Sequence, residues 1–456
     1  MSRSVHLEEL PYFADSCELF DRIRDLPRAA FLDSSFPLAS GGRFDIITAQ
    51  PWHRDVPRLQ PGASDPQSAA FFKALEQFHS EYYPPMQPVA PEIPFCGGLL
   101  GYIGYTAGKG LHRIADTAQP SRFPAAQLYA YDWCIVQDHL LQRAALVMQP
   151  CVGPAERVDL QARLRQPPAG NRRRFTLTSR FASNVTATQY REAFDRIQQY
   201  IAAGDCYQVN FTQCFSAGYS GDPWQAYRAL RDVAAAPFSA YLDMEADAAL
   251  ICLSPERFIS LHGHRVETSP IKGTRARHRD PQRDAQAHQA LRTSKKDRAE
   301  NLMIVDLLRN DLGRSCAPGS IHVDRLFEIQ SFPTVHHLVS TISGELRSDC
   351  TVWDLLRDSF PGGSITGAPK RRAMQIIAEL ETHERDVYCG SVLYVSADGR
   401  MDSNISIRSL LCDSGTVRCW GGGGIVADSD WRQEYQESYD KVGKFLDTLE
   451  KTIPAH

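Results

Sequence analysis

With 456 residues, the chain can hold two or three ordinary domains, or one large core with an elaborated lobe. Its 43% hydrophobic and 23% charged residues suit a soluble globular protein, and a net charge of −4 without a basic, aromatic-interleaved stripe leaves no electrostatic case for nucleic acid. The twelve cysteines show no CxxC pair or metal-like Cys/His spacing, no signal-like leader is present, and no run of about 18 apolar residues could span a bilayer, so a soluble cytoplasmic protein with reduced thiols is expected.

Residues 1–50 begin acidic and helix-compatible, then alternate from Ala30 to Ala49, which reads as strands with a turn at Gly41-Gly42. A Pro-rich loop over 84–94 precedes a glycine-dense strand from Gly97 to Tyr102, and 127–138 reads as another strand. Residues 151–184 read as a linker between an N-terminal lobe, 1–150, and a larger region, 185–456. Beyond it, Tyr190, Phe194, Ile197 and Ile201 form the apolar stripe of a helix over 190–203, which Gly204 stops. Strands are expected at 207–216, 239–244, 248–253 and 256–268, and a long helix from about Lys295 to Asn310. Further strands fall at 388–396, 402–412 and 416–420, and a last helix at about 430–451. Helices and strands mix without βαβ regularity, so the expected class is α+β: large, mostly antiparallel sheets with helices packed outside.

Several segments carry chemistry. Lys272, in Pro270-Ile271-Lys272-Gly273-Thr274, follows a β-like run and sits between an apolar residue and a glycine. It reads either as a solvated turn lysine or as a partly dehydrated, nucleophilic amine. Asp297 with Glu300, and Glu434 with Glu437, are acid pairs at i, i+3 on two helices, with Lys441 one turn beyond the second. Each pair alone fits a solvated face; brought together they would need a cation, and an all-oxygen set points to Mg²⁺. The segment Phe360 to Lys370 is not a Walker loop, but its glycines lead into a helix whose N-terminus suits an anion. Gly421–Gly424 lets backbone approach a carboxylate closely. Arg408 closes an alternating strand beside Asn404 and Ser406 and is either a surface cation or a carboxylate clamp. Glu256 follows an apolar strand, where burial would raise its pKa and suit it to general-acid work. Of His336 and His337, one near a reactive centre could orient substrate.

Taken together, Ser-Pro-Glu-Arg-Phe at 254–258, Pro-Ile-Lys-Gly-Thr at 270–274, Asp-Arg-Ala-Glu-Asn-Leu-Met-Ile-Val-Asp-Leu at 297–307, Val-His-His-Leu-Val-Ser at 335–340, Pro-Gly-Gly-Ser-Ile-Thr-Gly-Ala-Pro-Lys at 361–370, Gly-Gly-Gly-Ile-Val-Ala-Asp-Ser at 422–429 and Glu-Tyr-Gln-Glu at 434–437 resemble the chorismate-utilising enzymes in order and spacing. Tyr131-Asp132-Trp133 and the Gly97-Gly98 strand extend the likeness into the N-terminal half. The resemblance implies that family's fold, with large sheets packed as a sandwich. Within it, Pro-Ile-Lys-Gly-Thr followed by Ala-Glu-Asn resembles the aminodeoxychorismate synthase component I branch, whereas the anthranilate synthase branch has Pro-Ile-Ala-Gly-Thr and Ala-Glu-His. The implied reaction is amination of chorismate at C4, through Lys272 adding at C2.

The same resemblance implies roles for individual residues. Glu256 protonates the departing hydroxyl, and Glu300 and Glu437 hold Mg²⁺ on the ring carboxylate with Glu434 and Asp297 in support. Thr274, Gly367, Ala368, Tyr388, Arg408, Gly423 and Gly424 line the substrate site with Lys441 nearby, and His337 is the active-site histidine. Ser34, Gly41, Gly42, Arg43, Phe44, Pro237, Phe238 and Ser239 match the family's tryptophan pocket. One departure is Tyr105-Thr106, where relatives usually have Gly-Tyr-Asp. No Gly-x-Cys-x-Gly elbow is present, so ammonia is expected from a separate glutamine amidotransferase subunit. The rivals are an anthranilate synthase component I, an isochorismate or salicylate synthase, and a tryptophan-binding or docking subunit without catalysis.

Overall fold

The computed structural model describes residues 5–39, 42–52, 55–83, 92–115, 121–168, 173–332 and 335–454. Apolar runs in this chain are short and bounded by turns, and they build two large sheets in which every described pairing is antiparallel. In the first, His6–Leu10, Arg143–Met148, Trp133–Asp138, Phe44–Thr48, Ala30–Asp33, Phe238–Asp243, Ala249–Ser254, Ser409–Asp413, Thr416–Ile425 and Gln208–Ser220 lie in that order. In the second, Ile271–Ala276, Val335–Glu345, Arg265–Thr268, Arg257–His262, Met401–Asn404, Ser391–Ser396, Gly98–Ile103 and Ala126–Tyr131 follow one another.

Strand period 2 explains the core. In Ala249–Ser254 all six residues are buried, yet alternate ones serve different cores. Leu250 and Cys252 join a cluster with Leu99, Phe258 and Val392 of the second sheet. Ile251 and Leu253 join one with Trp224, Tyr227 and Phe20 under the outer helices. The helix Pro223–Ala234, which the sequence reading does not anticipate, is capped by Asp222 accepting from the Trp224 N–H at 3.1 Å, and has Pro223 in its first turn. No helix among the described residues is long and apolar enough to cross a membrane.

Strands from residues below 150 are interleaved with later ones: Ala30–Asp33 pairs with Phe238–Asp243, and Gly98–Ile103 with Ser391–Ser396. Within 151–184 lies a helix, Pro154–Arg165, that buries Leu160 and Leu164, so this segment holds ordered structure.

Three sequence-expected strands prove to be pairs. The 256–268 stretch turns back on itself as Arg257–His262 and Arg265–Thr268. The 127–138 and 402–412 stretches each leave one sheet and enter the other, the first at Asp132, the second over 405–408. Arg408 therefore does not close a continuous strand beside Asn404 and Ser406; it stands in a crossover, with φ 53°. The last helix is likewise two, Trp431–Asp440 and Gly443–Glu450.

The crossover at 405–408 runs beside another at 254–256. Ile405 N donates to Glu256 O at 3.0 Å, Leu253 N to Arg408 O at 3.1 Å, and Ser254 Oγ to Ile405 O at 2.6 Å. Asn404 locks the crossing: its Nδ2 donates to Phe238 O in one sheet at 2.8 Å, and its Oδ1 accepts from Val392 N in the other at 2.9 Å. Replacing it leaves two buried backbone groups unpaired. Asn404→Ala is expected to lower unfolding stability by about 2–4 kcal/mol, read from urea denaturation midpoints with the slope unchanged.

Candidate active site

The strand Ile271–Ala276 pairs with Val335–Glu345, but the register breaks between Ile271 and Thr274. Gly273 carries the irregularity with φ +82°, and a Cβ there would meet Asp297 Cγ at 2.9 Å. A bulge of this kind re-aims a side chain. It sends Lys272 inward, where Nζ donates to the Ser364 carbonyl at 3.2 Å. Lys272 is half-buried, and enough protein surrounds its ammonium that desolvation holds its pKa below the usual lysine value. Lys441 works in the same direction, while Glu300, Glu256 and Glu437 oppose it.

Glu256, only 5% exposed, sits in the first crossover. Burial raises its pKa, against the Ser364 hydroxyl, the Lys272 charge and the Ile271 N–H, which favour the carboxylate. An acid that tends to keep its proton thus faces an amine that tends to lose one, which is the disposition proton transfer and nucleophilic attack require. Arg408, in the second crossover, has its pKa lowered by burial, with Glu256 opposing. Among the described residues its guanidinium makes no hydrogen bond or ion pair, which leaves its fork for an anionic ligand.

His337 stands opposite Thr274 in the strand register, with Thr274 Oγ1 2.8 Å from its Nδ1. Burial, then Arg408 and His336, push its pKa down to about 3, so the imidazole is neutral and orients rather than titrates. His336 turns instead to Ser331 and Asp284.

The acids come from two capped helices. Ser294 Oγ accepts from Asp297 N at 3.2 Å to start Lys295–Leu312, and Asp430 accepts from Arg432 N and Gln433 N to start Trp431–Asp440. Glu300 and Glu434 converge on Lys296, whose Nζ is 3.9 Å from the first and 3.7 Å from the second. Both have raised pKa values, chiefly from burial. Glu437 pairs with Lys441 at 2.7 Å, and that charge holds its pKa down. Asp297 turns away from this group to Arg275, at 2.8 Å. Among the described residues no three carboxylate, thiolate or imidazole groups form a ready-made metal cage; Lys296 spans Glu300 and Glu434, and Lys441 takes Glu437.

The glycine run explains itself here. A Cβ on Gly423 would lie 3.1 Å from Glu434 Oε2 and 3.4 Å from Glu437 Oε1, and one on Gly421 only 2.1 Å from Ser438 O. Only glycines let this strand lie against the acid-bearing helix. Lys441 also donates to Gly422 O at 2.8 Å. Gly367 and Ala368 pair with Val209 and Gln208 at the start of the helix Lys370–Leu380. Tyr388 lies one layer back, flat against Trp420 at 5.8 Å.

Three residues escaped the sequence reading. Lys296 and Ser364 are two, the first one residue before the 297–307 motif and the second inside the 361–370 one. Gln208 is fully buried against Gly424, and among the described residues neither end of its amide is hydrogen-bonded. A glutamine opening an apolar strand gives no sequence signal of this.

Of the expected tryptophan-pocket residues, Gly41 lies outside the described residues. The others, Ser34, Gly42, Arg43, Phe44, Pro237, Phe238 and Ser239, line one cavity of about 390 Å³ between the sheets, faced by Arg257, Met401 and Asn404. Ser34 donates from N and Oγ to buried Asp45 at 2.7 and 2.8 Å. Lys272 does not line this cavity.

The profile of the chorismate binding enzyme family matches residues 46–447. Aminodeoxychorismate synthase component 1 of Klebsiella aerogenes is 44% identical over 450 residues, covering 97% of this chain and 98% of that protein. Anthranilate synthase component 1 of Streptomyces coelicolor is 34% identical, over 99% of this chain and 89% of its own. The crystal structure of anthranilate synthase component I from Streptococcus pneumoniae superimposes with a TM-score of 0.74 at 27% identity, covering 89% of this chain and 92% of that one. With two interleaved antiparallel sheets, an acid–amine pair at their crossing and matches over nearly the whole length, the chain belongs to the chorismate-utilising enzymes.

Proposed function

We propose that this enzyme aminates chorismate at C4 to give 4-amino-4-deoxychorismate, taking ammonia from a separate glutamine amidotransferase subunit. The observation that carries the reading is Lys272, a desolvated amine aimed at the same space as Glu256. The Klebsiella relative's name points to the same reaction, and its designation as component 1 implies a second component.

The Lys272 amine attacks C2, the ring double bonds shift, and the C4–O bond breaks as Glu256 gives its proton to the leaving hydroxyl, releasing water. The Glu256 carboxylate then takes the surplus proton from the new secondary amine. Ammonia attacks C4, the double bonds shift back, the C2–N bond breaks as Glu256 returns that proton to Lys272, and the Glu256 carboxylate recovers a proton from the new C4 ammonium. Arg408 clamps a substrate carboxylate, and Thr274 and neutral His337 fix the ring's orientation. Two negative charges on chorismate account for the gathering of Lys272, Lys296, Lys441 and Arg408 in an acidic chain.

An all-oxygen donor set on two facing helices fits Mg²⁺, which accepts few protein carboxylates and keeps positions for water and substrate. Glu300 and Glu437 would hold it, with Glu434 beside them; Asp297, paired with Arg275, is not carried into the set. When bound, the ion supplies a Lewis-acidic anchor for the ring carboxylate. The twelve free thiols fit a cytoplasmic enzyme. An anthranilate synthase is the second reading, supported by the Streptomyces coelicolor relative; an amine at position 272 weighs against it, because it fills the place from which ammonia would add at C2.

Incubated with chorismate and Mg²⁺ but no ammonia, the protein is expected to gain an adduct on Lys272 by peptide mass spectrometry. Lys272→Ala should lose this adduct and at least about 100-fold in aminodeoxychorismate formation. Full activity in that variant would remove the lysine from the reaction, and blue-fluorescent anthranilate from the unaltered enzyme would favour the second reading.

Gly423→Ala, by displacing Glu434 and Glu437, should cut turnover by roughly 10- to 100-fold. It should also raise the Mg²⁺ concentration for half-maximal activity, with thermal unfolding little changed. Glu300→Gln should weaken Mg²⁺ dependence likewise; metal-independent turnover would contradict the assignment.

The cavity between the sheets is proposed to hold tryptophan. At about 100 times its dissociation constant, tryptophan should add about 2.7 kcal/mol to stability, seen as a saturable rise in melting temperature, with kcat unaltered.

A further inference from the structure

Lys296 and Lys441 both stand among the acids, but they are held differently. Lys441 Nζ meets Glu437 Oε1 at 2.7 Å and donates to Gly422 O at 2.8 Å, so a backbone anchor fixes it as well as a charge. Lys296 Nζ stands 3.7 Å from Glu434 Oε1 and 3.9 Å from Glu300 Oε1, beyond hydrogen-bond distance of either, and its side chain is 45% exposed.

The acids that flank Lys296 are fixed. Glu434 is buried: Ser429 Oγ donates to its Oε1 at 2.7 Å, and the glycine strand backs its Oε2, where a Cβ on Gly423 would lie 3.1 Å away. Glu300 rides one turn beyond Lys296 on the helix Lys295–Leu312, and its side chain is 17% exposed. Two well-placed carboxylates from different helices thus converge on one loosely held ammonium that reaches solvent.

That looseness has a physical consequence. A unit charge near 4 Å attracts both carboxylates and offsets their mutual repulsion, yet it surrenders no close hydrogen bond to them when it leaves. The long stem and strong hydration of a lysine make the outward position easy to reach. A divalent cation carries twice the charge and binds carboxylate oxygens directly, and two cations crowded on the same oxygens repel each other. Resting on the Mg²⁺ assignment above, we propose that Lys296 is a positioning residue that the metal displaces. Its ammonium keeps Glu300 and Glu434 together, and it swings to solvent when a divalent ion takes their oxygens. Lys441, anchored twice, stays in place.

A displaced competitor makes a prediction opposite in sign to that of a structural prop. Mn²⁺ serves as the probe, because the free ion is counted directly by electron paramagnetic resonance, and chorismate is left out so that turnover plays no part. Lys296→Met keeps the stem and removes the charge, and it should bind Mn²⁺ about 5- to 30-fold more tightly than the unaltered protein. Lys296→Arg, which retains the charge, should stay within about threefold. Lys295→Met removes the same charge from the exposed neighbouring position and should change affinity by less than about twofold. In EDTA, Lys296→Met should melt about 1–3 °C below the unaltered protein, since two carboxylates then face each other without a cation, and saturating Mg²⁺ should close that gap.

Tighter Mn²⁺ binding confined to Lys296→Met, with a melting gap that Mg²⁺ closes, supports the proposal. Binding no tighter than that of the unaltered protein, an equal gain in Lys295→Met, or a gap that Mg²⁺ leaves in place overturns it. Glu300→Gln separates this from the metal assignment. If that variant binds Mn²⁺ as well as the unaltered protein does, the assignment falls and the proposal with it. If Glu300→Gln loses affinity while Lys296→Met gains none, the proposal alone falls.

Discussion

Where a chain leaves one sheet for another, its backbone groups lose their ladder partners, and buried groups must find others. Here two such passages, 254–256 and 405–408, run side by side and satisfy each other through Ile405 N to Glu256 O and Leu253 N to Arg408 O. Ile405 packs into the core between the sheets, while Glu256 and Arg408, their backbone groups already paired, carry polar side chains there. Glu256 and Arg408 can therefore be buried without being neutralised by a close ion-pair partner, and a carboxyl and a guanidinium so placed are available to a ligand. The glycine strand, the bulge at Gly273 and the 363–365 turn bring Lys272 and the acids to the same point.

Four acids and four cations gathered at one site would repel if arranged by sign, even with Lys296, Glu437 and Lys441 partly exposed to solvent. They alternate instead: Lys296 between Glu300 and Glu434, Lys441 on Glu437, Lys272 within reach of Glu256 and Glu300. Desolvation still dominates at Glu256 and Lys272, raising the first and lowering the second, because their compensating charges are less intimate than the 2.7 Å contact at Glu437. That contrast separates the roles. The closely paired carboxylate stays ionised and is suited to a cation, while the loosely paired one retains a proton to give away.

The sequence displays this unevenly. Lys272, Glu256 and the two acid pairs are legible because motif spacing survives folding; Gly423 reads in the sequence as backbone open to a ligand carboxylate, whereas in the structure a Cβ there would press on Glu434 and Glu437. The pairing of strands across the 402–412 stretch is not. Alternation of polar and apolar residues continues from Asn404 to Arg408 although the chain changes sheets there, so periodicity reads Arg408 as part of a strand when it is a crossover residue. The break near Val442 was invisible for a related reason, since the apolar stripe of two short helices in series mimics that of one. Pro223–Ala234 carries a cap and a proline that announce a helix, but its aromatic content obscured the pattern. Asp297 shows the converse: its helix and spacing are as expected, and its carboxylate answers Arg275. Spacing puts a side chain on a face and does not choose its partner.

Arg257 and Glu256 are consecutive, and one lines the cavity between the sheets while the other faces Lys272. So close a connection invites the idea that an occupant of the cavity governs catalysis. A ligand shifts an equilibrium only by preferring one arrangement over another. The wall nearest the active site is held from several directions. Arg257 donates to Asp402 through Nε at 3.0 Å and Nη2 at 2.9 Å, Asn404 ties both sheets, and Ser254 Oγ closes on Ile405 O. An occupant that fits this clamped wall stabilises the arrangement already present, and its binding energy goes into holding the sheets together. On that footing an occupant of the pocket would serve structure and leave the acid–amine pair where the crossovers put it.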